Sequence, residues 1–332
     1  MDQTAPFPAG SRDQPPHEDK QKNYPHADSP VQLPWKDWKE ILKRVKDEVA
    51  ADRIGLIAAA VAYYAMFAIF PLLIATVSIY GIFADPADVQ RQIETMSRFI
   101  PKDALSVIGD QLSAIVKNSS DSLGLGAIFS ILLALWTGSK GTKVLMEAMN
   151  IAYDEKEKRS FIRFNGAALL LTLGAVLTTA MAVGTIAILP HVLDLMGLGG
   201  LNRTVLILRW PALFFLFMAG LAVFNRYAPS RDEPKWRWVS IGAGITTLLI
   251  LLASIGFAYY AEKFGGYNKT YGSLAGVIVL LLWLYIVSYA VLLGVELNAE
   301  VELQTTADST QGHAKPMGQR GAVKADSTPA TS

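Results

Sequence analysis

Residues 271–300 read YGSLAGVIVLLLWLYIVSYAVLLGVELNAE. From Gly272 to Val295 no side chain carries a charge, and a helix needs about 20 apolar residues to cross a bilayer. Gly272 and Gly276 open the run in a small-xxx-small spacing, which permits close helix approach. Glu296 and Asn298 close it with polar groups that a lipid-facing helix does not keep in its core. This stretch sets the class of the chain, because the segments before it repeat the pattern.

Hydrophobic residues make up 52% of the 332 residues and charged residues only 18%, against about a quarter charged in soluble domains. Working back from the last apolar run, further spans are predicted at 54–83, 123–150, 167–189, 210–224 and 239–260. The fold class is therefore all-α, a polytopic membrane bundle of six transmembrane helices over residues 54–302. The first span carries Pro71 at its middle, where proline removes a backbone hydrogen bond and kinks the helix. Tyr64 or Thr76 is a candidate partner for the freed carbonyl. The second span is apolar only to Trp136, so its helix is expected to continue past Lys140, whose ammonium snorkels toward the headgroups.

Asp85-Pro86 is a helix start. Apolar stripes at Val89, Ile93, Met96 and Ile100, then at Leu105, Ile108, Leu112 and Ile115, predict an amphipathic helical cap over 85–121. Residues 1–30 are polar and Pro-rich and read as a disordered tail, as does 303–332. No apolar signal-peptide region opens the chain. Between the tail and the first span, residues 31–53 place Trp35, Trp38, Ile41, Leu42, Val45 and Val49 at helical spacing, with Lys36, Lys39, Lys43, Arg44 and Lys46 between them. That pattern suits a basic amphipathic helix on an anionic membrane surface. Packing on the bundle is the alternative.

Six spans put both termini on one side. Lysines and arginines concentrate before the first span, in the 140–163 connection (Lys140, Lys143, Lys156, Lys158, Arg159, Arg163) and in the 226–237 connection (Arg226, Arg231, Lys235, Arg237). The positive-inside rule then predicts cytoplasmic termini. The net charge of +1 leaves no basic surface for nucleic acid. None of the six apolar cores carries a clear mid-membrane Asp, Glu or Lys, which disfavours ion coupling, so membrane lipids and an amphiphilic solute are the expected partners.

Catalytic chemistry has little to stand on. Cysteine is absent, and of His17, His26, His191 and His313 three fall in the polar tails. No HExxH, paired-Asp or Ser-His pattern appears. No cofactor or metal is expected, and enzyme activity is not. The candidate pathway and gate residues are Tyr64, Pro71, Lys140, Arg209, Tyr267, Asn268, Tyr271, Glu296 and Asn298, with Gly272 and Gly276 for helix packing. Glu296 is expected either to face water or to pair with Lys140 or Arg226. Arg209 is expected to anchor at the opposite interface or to bind an anionic group. Glu147 and Asn150 echo Glu296 and Asn298 with a one-residue difference in register.

The runs AAAVAYYAMFAIFPLL (58–73), EAMNIAYD (147–154), NRYAP (225–229) and YNKTYGSLAGVIVLLLWLY…LLGVELNAE (267–300) resemble the YihY/BrkB family of bacterial inner-membrane proteins over roughly residues 35–303. The resemblance implies an inner-membrane helical architecture and a loose link to serum resistance or export. The label "ribonuclease BN", once attached to the family, is regarded as a misassignment. The expected function is translocation or export of an amphiphilic or lipid-like solute. The alternatives are a non-transporting membrane scaffold and, more remotely, a membrane-bound nuclease.

Overall fold

The computed structural model describes residues 24–83, 120–187, 202–263 and 274–329. The cap predicted at 85–121 and the residues Tyr267, Asn268, Tyr271 and Gly272 lie outside them, apart from the first helical residues at 120–121. Seven α-helices are described: α1 (Trp35–Ala51), α2 (Ile54–Phe83), α3 (Ser120–Ala152), α4 (Phe161–Ala187), α5 (Asn202–Tyr227), α6 (Trp236–Lys263) and α7 (Leu274–Leu303). Among the described residues, four helices are long and apolar enough to cross a membrane: α4, α5, α6 and α7. A fifth is reached if α1 and the first part of α2, bent by 64° at Asp52–Arg53, count as one span.

The long helices are continuous because their interiors are Leu, Ile, Val, Ala and Phe with few residues that compete for backbone bonds. Threonines inside them turn inward on their own helix: Thr172, Thr178, Thr179, Thr246 and Thr247 each donate to the carbonyl four residues earlier. The elbow between α1 and α2 has a different cause. Arg53 sits at φ 53°, in the left-handed region, and this single residue ends one helix and starts the next in a new direction.

Contacts run around a closed ring: α2 on α3, α3 on α4, α4 on α5, α5 on α6, α6 on α7, and α7 back on α2. α7 also reaches across to α3. The tightest notch lies between α6 and α7. A Cβ on Gly242 would overlap the Asn298 carboxamide, and one on Gly294 would overlap the Thr246 side chain. Each glycine thus receives a polar side chain of the other helix. Gly276, expected to permit close packing, is exposed, and among the described residues no atom lies within 4 Å of an added Cβ. The close small-residue approach is made 18 residues further on, at Gly294.

The apolar core is concentrated at the end of the ring that carries α1. Met146, Met149, Ala168, Val295 and Ala299 form one cluster, and Ile54, Ala58, Ala148 and Leu292 another. Ile41 and Val45 of α1 are buried with Trp238, Leu297 and Val301, so α1 packs on the bundle through this stripe. Its opposite side leaves Trp35 and Leu42 exposed beside Lys36, Lys39, Lys43 and Lys46. Along the spans, Leu170, Leu132, Phe215 and Ile255 are largely exposed, a surface suited to lipid and costly in water.

The stretch read from sequence as a disordered tail is ordered through residue 329. Its low apolar content hides a polar framework. Buried Arg320 donates to the carbonyls of Thr306, Ala307 and Ala325. The Asp326 carboxylate accepts the amides of Gly318, Arg320 and Gly321. The Asp308 carboxylate accepts from Thr310 and Lys315. Gly321, at φ +72°, turns where a Cβ would press on Asp232. The N-terminal strand of chain joins the same layer: Ala27 N–H donates to Thr305 Oγ1 at 3.0 Å, and Thr306 N–H to the Pro25 carbonyl at 3.1 Å.

Candidate functional site: a buried ionic layer at the α1 end of the ring

α7 has 30 residues, about 45 Å of helix against a hydrocarbon core of about 30 Å. Its last turns, ELNAEVEL, therefore extend past the apolar length and carry Glu296, Asn298, Glu300 and Glu302. All four are buried. A row of buried carboxylates is stable only if other elements supply cations and donors.

Glu300 receives Arg44 from α1, with Nε 2.5 Å from Oε2, and Lys324 from the C-terminal segment, with Nζ 3.0 Å from Oε1. Arg44 also donates to Gln304 Oε1 at 2.9 Å. Lys324 bridges onward to Asp154 at 2.9 Å. Burial works against its charge, but Glu300 and Asp154 outweigh burial and hold the ammonium above its ordinary range. Glu302 is gripped by both guanidinium nitrogens of Arg231, at 2.5 and 2.7 Å, and by the Ser309 hydroxyl. This is the bidentate geometry for which arginine is suited. Arg231 also lies 4.7 Å over the Tyr153 ring, and the Tyr153 hydroxyl is pushed above its ordinary range by burial and then by the Glu302 charge.

The connections between helices are locked into the same layer. Asn150 accepts the Ser230 amide at 2.7 Å and donates to Glu157 at 3.0 Å. Burial alone would raise the Glu157 carboxyl, but bonds from Arg159 and Asn150 bring it down to about 2. Arg159 reaches back to the carbonyls of Tyr227 and Ala228. Arg226 is held by Glu233, by the Pro234 carbonyl and by Gln311.

Glu296 is paired with neither Lys140 nor Arg226. Glu296 meets neither water nor a base: it is 1% exposed, its Oε1 has no hydrogen-bond partner, and its carboxyl is in hydrogen-bond contact with that of Asp52. Burial raises Asp52 above the ordinary carboxylate range. Arg226 is occupied by Glu233. Lys140 lies 3.9 Å over its neighbour Trp136. Asn298 is buried in the Gly242 notch, with Nδ2 unpartnered. Tyr64 is half-buried on α2 and packs its Cβ on Gly141 of α3. Pro71 falls in the part of α2 described by its backbone alone, and the helix runs through it. Arg209 stacks at 5.2 Å on Trp210. Glu147, which echoes Glu296 in the sequence, is exposed where Glu296 is buried. Sequence reading missed Arg44, Asp52, Asp154, Arg231, Glu300, Glu302 and Lys324. The alternating acids of ELNAEVEL (296–303) are the one available signal, because a buried acidic helix end demands basic partners somewhere.

Two open sites flank this layer. A cleft of about 400 Å³ runs between α4 and α5, lined by Leu170, Gly174, Thr178, Leu216, Gly220 and Phe224 among others. A shallow basic pocket of about 420 Å³ lies next to the end of α5, lined by Arg226, Lys235, Trp236, Arg237, Gln311 and Gly312. Among the described residues no group of three or more His, Cys, Asp or Glu side chains is placed to hold a metal ion.

Comparison with known proteins gives a family and several relatives. The family model described as "Virulence factor BrkB" matches residues 45–318. The chain is 28% identical over 254 residues to the "Putative ribonuclease-like protein YfkH" of Bacillus subtilis, covering 73% of this chain and 87% of that one. It is 28% identical over 257 residues to a "UPF0761 membrane protein" of Tolumonas auensis, covering 75% and 80%. With the "UPF0761 membrane protein VP0125" of Vibrio parahaemolyticus the identity is 29% over 266 residues, covering 79% and 81%. No solved structure matches. With the family model spanning most of the chain and several apolar helices of membrane length, the chain is a membrane protein that belongs to the BrkB family.

Proposed function

We propose that this protein is a six-span inner-membrane protein with both termini cytoplasmic and a helical cap on the opposite side, and that it translocates an amphiphilic or lipid-like solute. The observation that carries the reading is the pairing of the two open sites on α5. The apolar cleft ends at Phe224, and Arg226 of the basic pocket follows two residues later, about 3 Å along the helix. An acyl-type tail in the cleft and an anionic head at the exposed Arg237 is the chemistry this pairing selects, with Trp236 at the interface between them and with Arg226 and Lys235 already held by Glu233 and the Asp308 carbonyl. The orientation rests on the positive-inside rule, since Lys36, Lys39, Lys43, Lys156, Lys158 and Arg237 all belong to the α1 end.

The test is a flux measurement. Purified protein in liposomes should move a labelled anionic lipid or release an anionic amphiphile faster than empty vesicles. Filling the cleft with Gly220→Leu should abolish that flux at unchanged protein level. A wild-type rate equal to that of empty vesicles overturns the reading.

A scaffold is the second reading, favoured by the exposed Trp35 and Leu42 on the basic side of α1. Loss of function on Trp35→Ala with flux intact would favour it. The ribonuclease-like name belongs to YfkH, and no reading of the described residues assigns catalysis to this chain.

A further inference from the structure

We infer that Asp52 and Glu296 form a proton-binding site, in which one proton held between the two carboxyls pins the α1–α2 elbow to α7. Two observations carry it independently. First, Glu296 is 1% exposed, and its Oε1 is unpartnered. Second, the Glu296 carboxyl is in hydrogen-bond contact with Asp52, and two carboxylates cannot bond without a proton between them.

The surroundings offer no cation to replace that proton. The groups facing the pair are Glu48 from α1, Asp154 from the connection after α3, Glu300 from α7, and Lys324 from the C-terminal segment. Lys324 is already divided between Glu300 and Asp154, and Arg44 is bound to Glu300. Five carboxyls thus face two cations, both engaged. A buried carboxyl in such a place takes up a proton rather than remain an unpaired charge. Burial likewise raises the Asp52 carboxyl.

The pair sits at a hinge. Asp52 is the C-cap of α1 and Arg53 holds the left-handed φ that bends the chain by 64°. Loss of the proton leaves two like charges across the elbow and drives α1 from α7. Occupancy of the site is independent of whether the protein moves a solute, so it can be measured without a flux assay.

Purified full-length protein in phosphatidylcholine nanodiscs should show, by infrared difference titration at neutral pH, a protonated-carboxyl C=O band that shifts in D₂O and disappears on alkalinisation. Glu296→Gln and Asp52→Asn each supply an amide that donates to the remaining carboxylate, so each should keep the fold and lose the band completely. Glu48→Gln should keep it. Absence of the band in the wild type, its persistence in either amide variant, or its loss in Glu48→Gln overturns the inference. As a second readout, wild-type thermal stability should fall as pH rises through the titration of the pair, and the two amide variants should show a flat profile there. Identical profiles in all three also overturn it.

Discussion

Arg231 is the residue on which the ionic layer depends most directly. Its bidentate pair with Glu302 is buried on both sides, at 1% and 3% side-chain exposure. Removing one partner of a buried pair leaves the other charge stranded, at a cost of about 3–5 kcal/mol. Arg231→Ala should therefore lower the unfolding free energy in detergent by about that much, whereas Arg231→Lys, which keeps the charge but loses the fork, should fall between the two. Glu157 gives a pH signature of opposite kind to that of a buried acid. Its carboxyl is brought down to about 2 in the folded chain, against an ordinary glutamate near 4.3. It adds stability above the ordinary value, and that contribution is lost as pH falls through about 2. Glu157→Gln should flatten this acid limb of a thermal-stability profile.

At the scale of elements, the α6–α7 contact is set by Gly242 and Gly294. An alanine at Gly294 places a methyl on Thr246, and overpacking of this type costs about 1–3 kcal/mol. Gly276→Ala adds its methyl to open space and should leave thermal unfolding unchanged, a contrast that differential scanning measurements would resolve. The C-terminal segment behaves as an element too, although it contains no helix of its own after Leu303. Truncation after Thr306 removes Lys324 and Ser309 together and leaves Glu300 and Glu302 each short of a partner. The truncated chain should unfold at a lower temperature and expose the α1–α7 seam to proteolysis.

For the whole molecule, the absence of cysteine makes topology directly measurable. Single cysteines at Lys36 and at Gln311 should react with a membrane-impermeant maleimide only in inside-out vesicles, and labelling from the outside would reverse the orientation proposed above. Much of the architecture was legible beforehand. The boundaries of α2, α6 and α7 follow the apolar runs within a few residues, because a lipid-facing surface leaves a continuous record in composition. α5 is longer than its predicted apolar run, since Asn202–Arg209 remain helical with Asn202, Arg203, Thr204 and Arg209 among them. The candidate site was far less legible. Glu296 and Glu300 were visible as acids at the end of a span, but Asp52 beside Glu296 and Lys324 beside Glu300 belong to segments read as an interfacial helix and a disordered tail. Arg44 and Glu300 stand 256 positions apart, and no local pattern announces such a pair.

The last apolar run and its forerunners determined that the chain is a helical membrane protein and where most of its helices lie, since hydropathy is a local property of consecutive residues. Only the tertiary structure decided that the chain after Leu303 is folded, that Gly294 rather than Gly276 takes the close contact, and that Glu296 faces another carboxyl. Those outcomes depend on which buried charges and notches meet across the ring. Their pairing is set by three-dimensional packing among segments far apart in the chain.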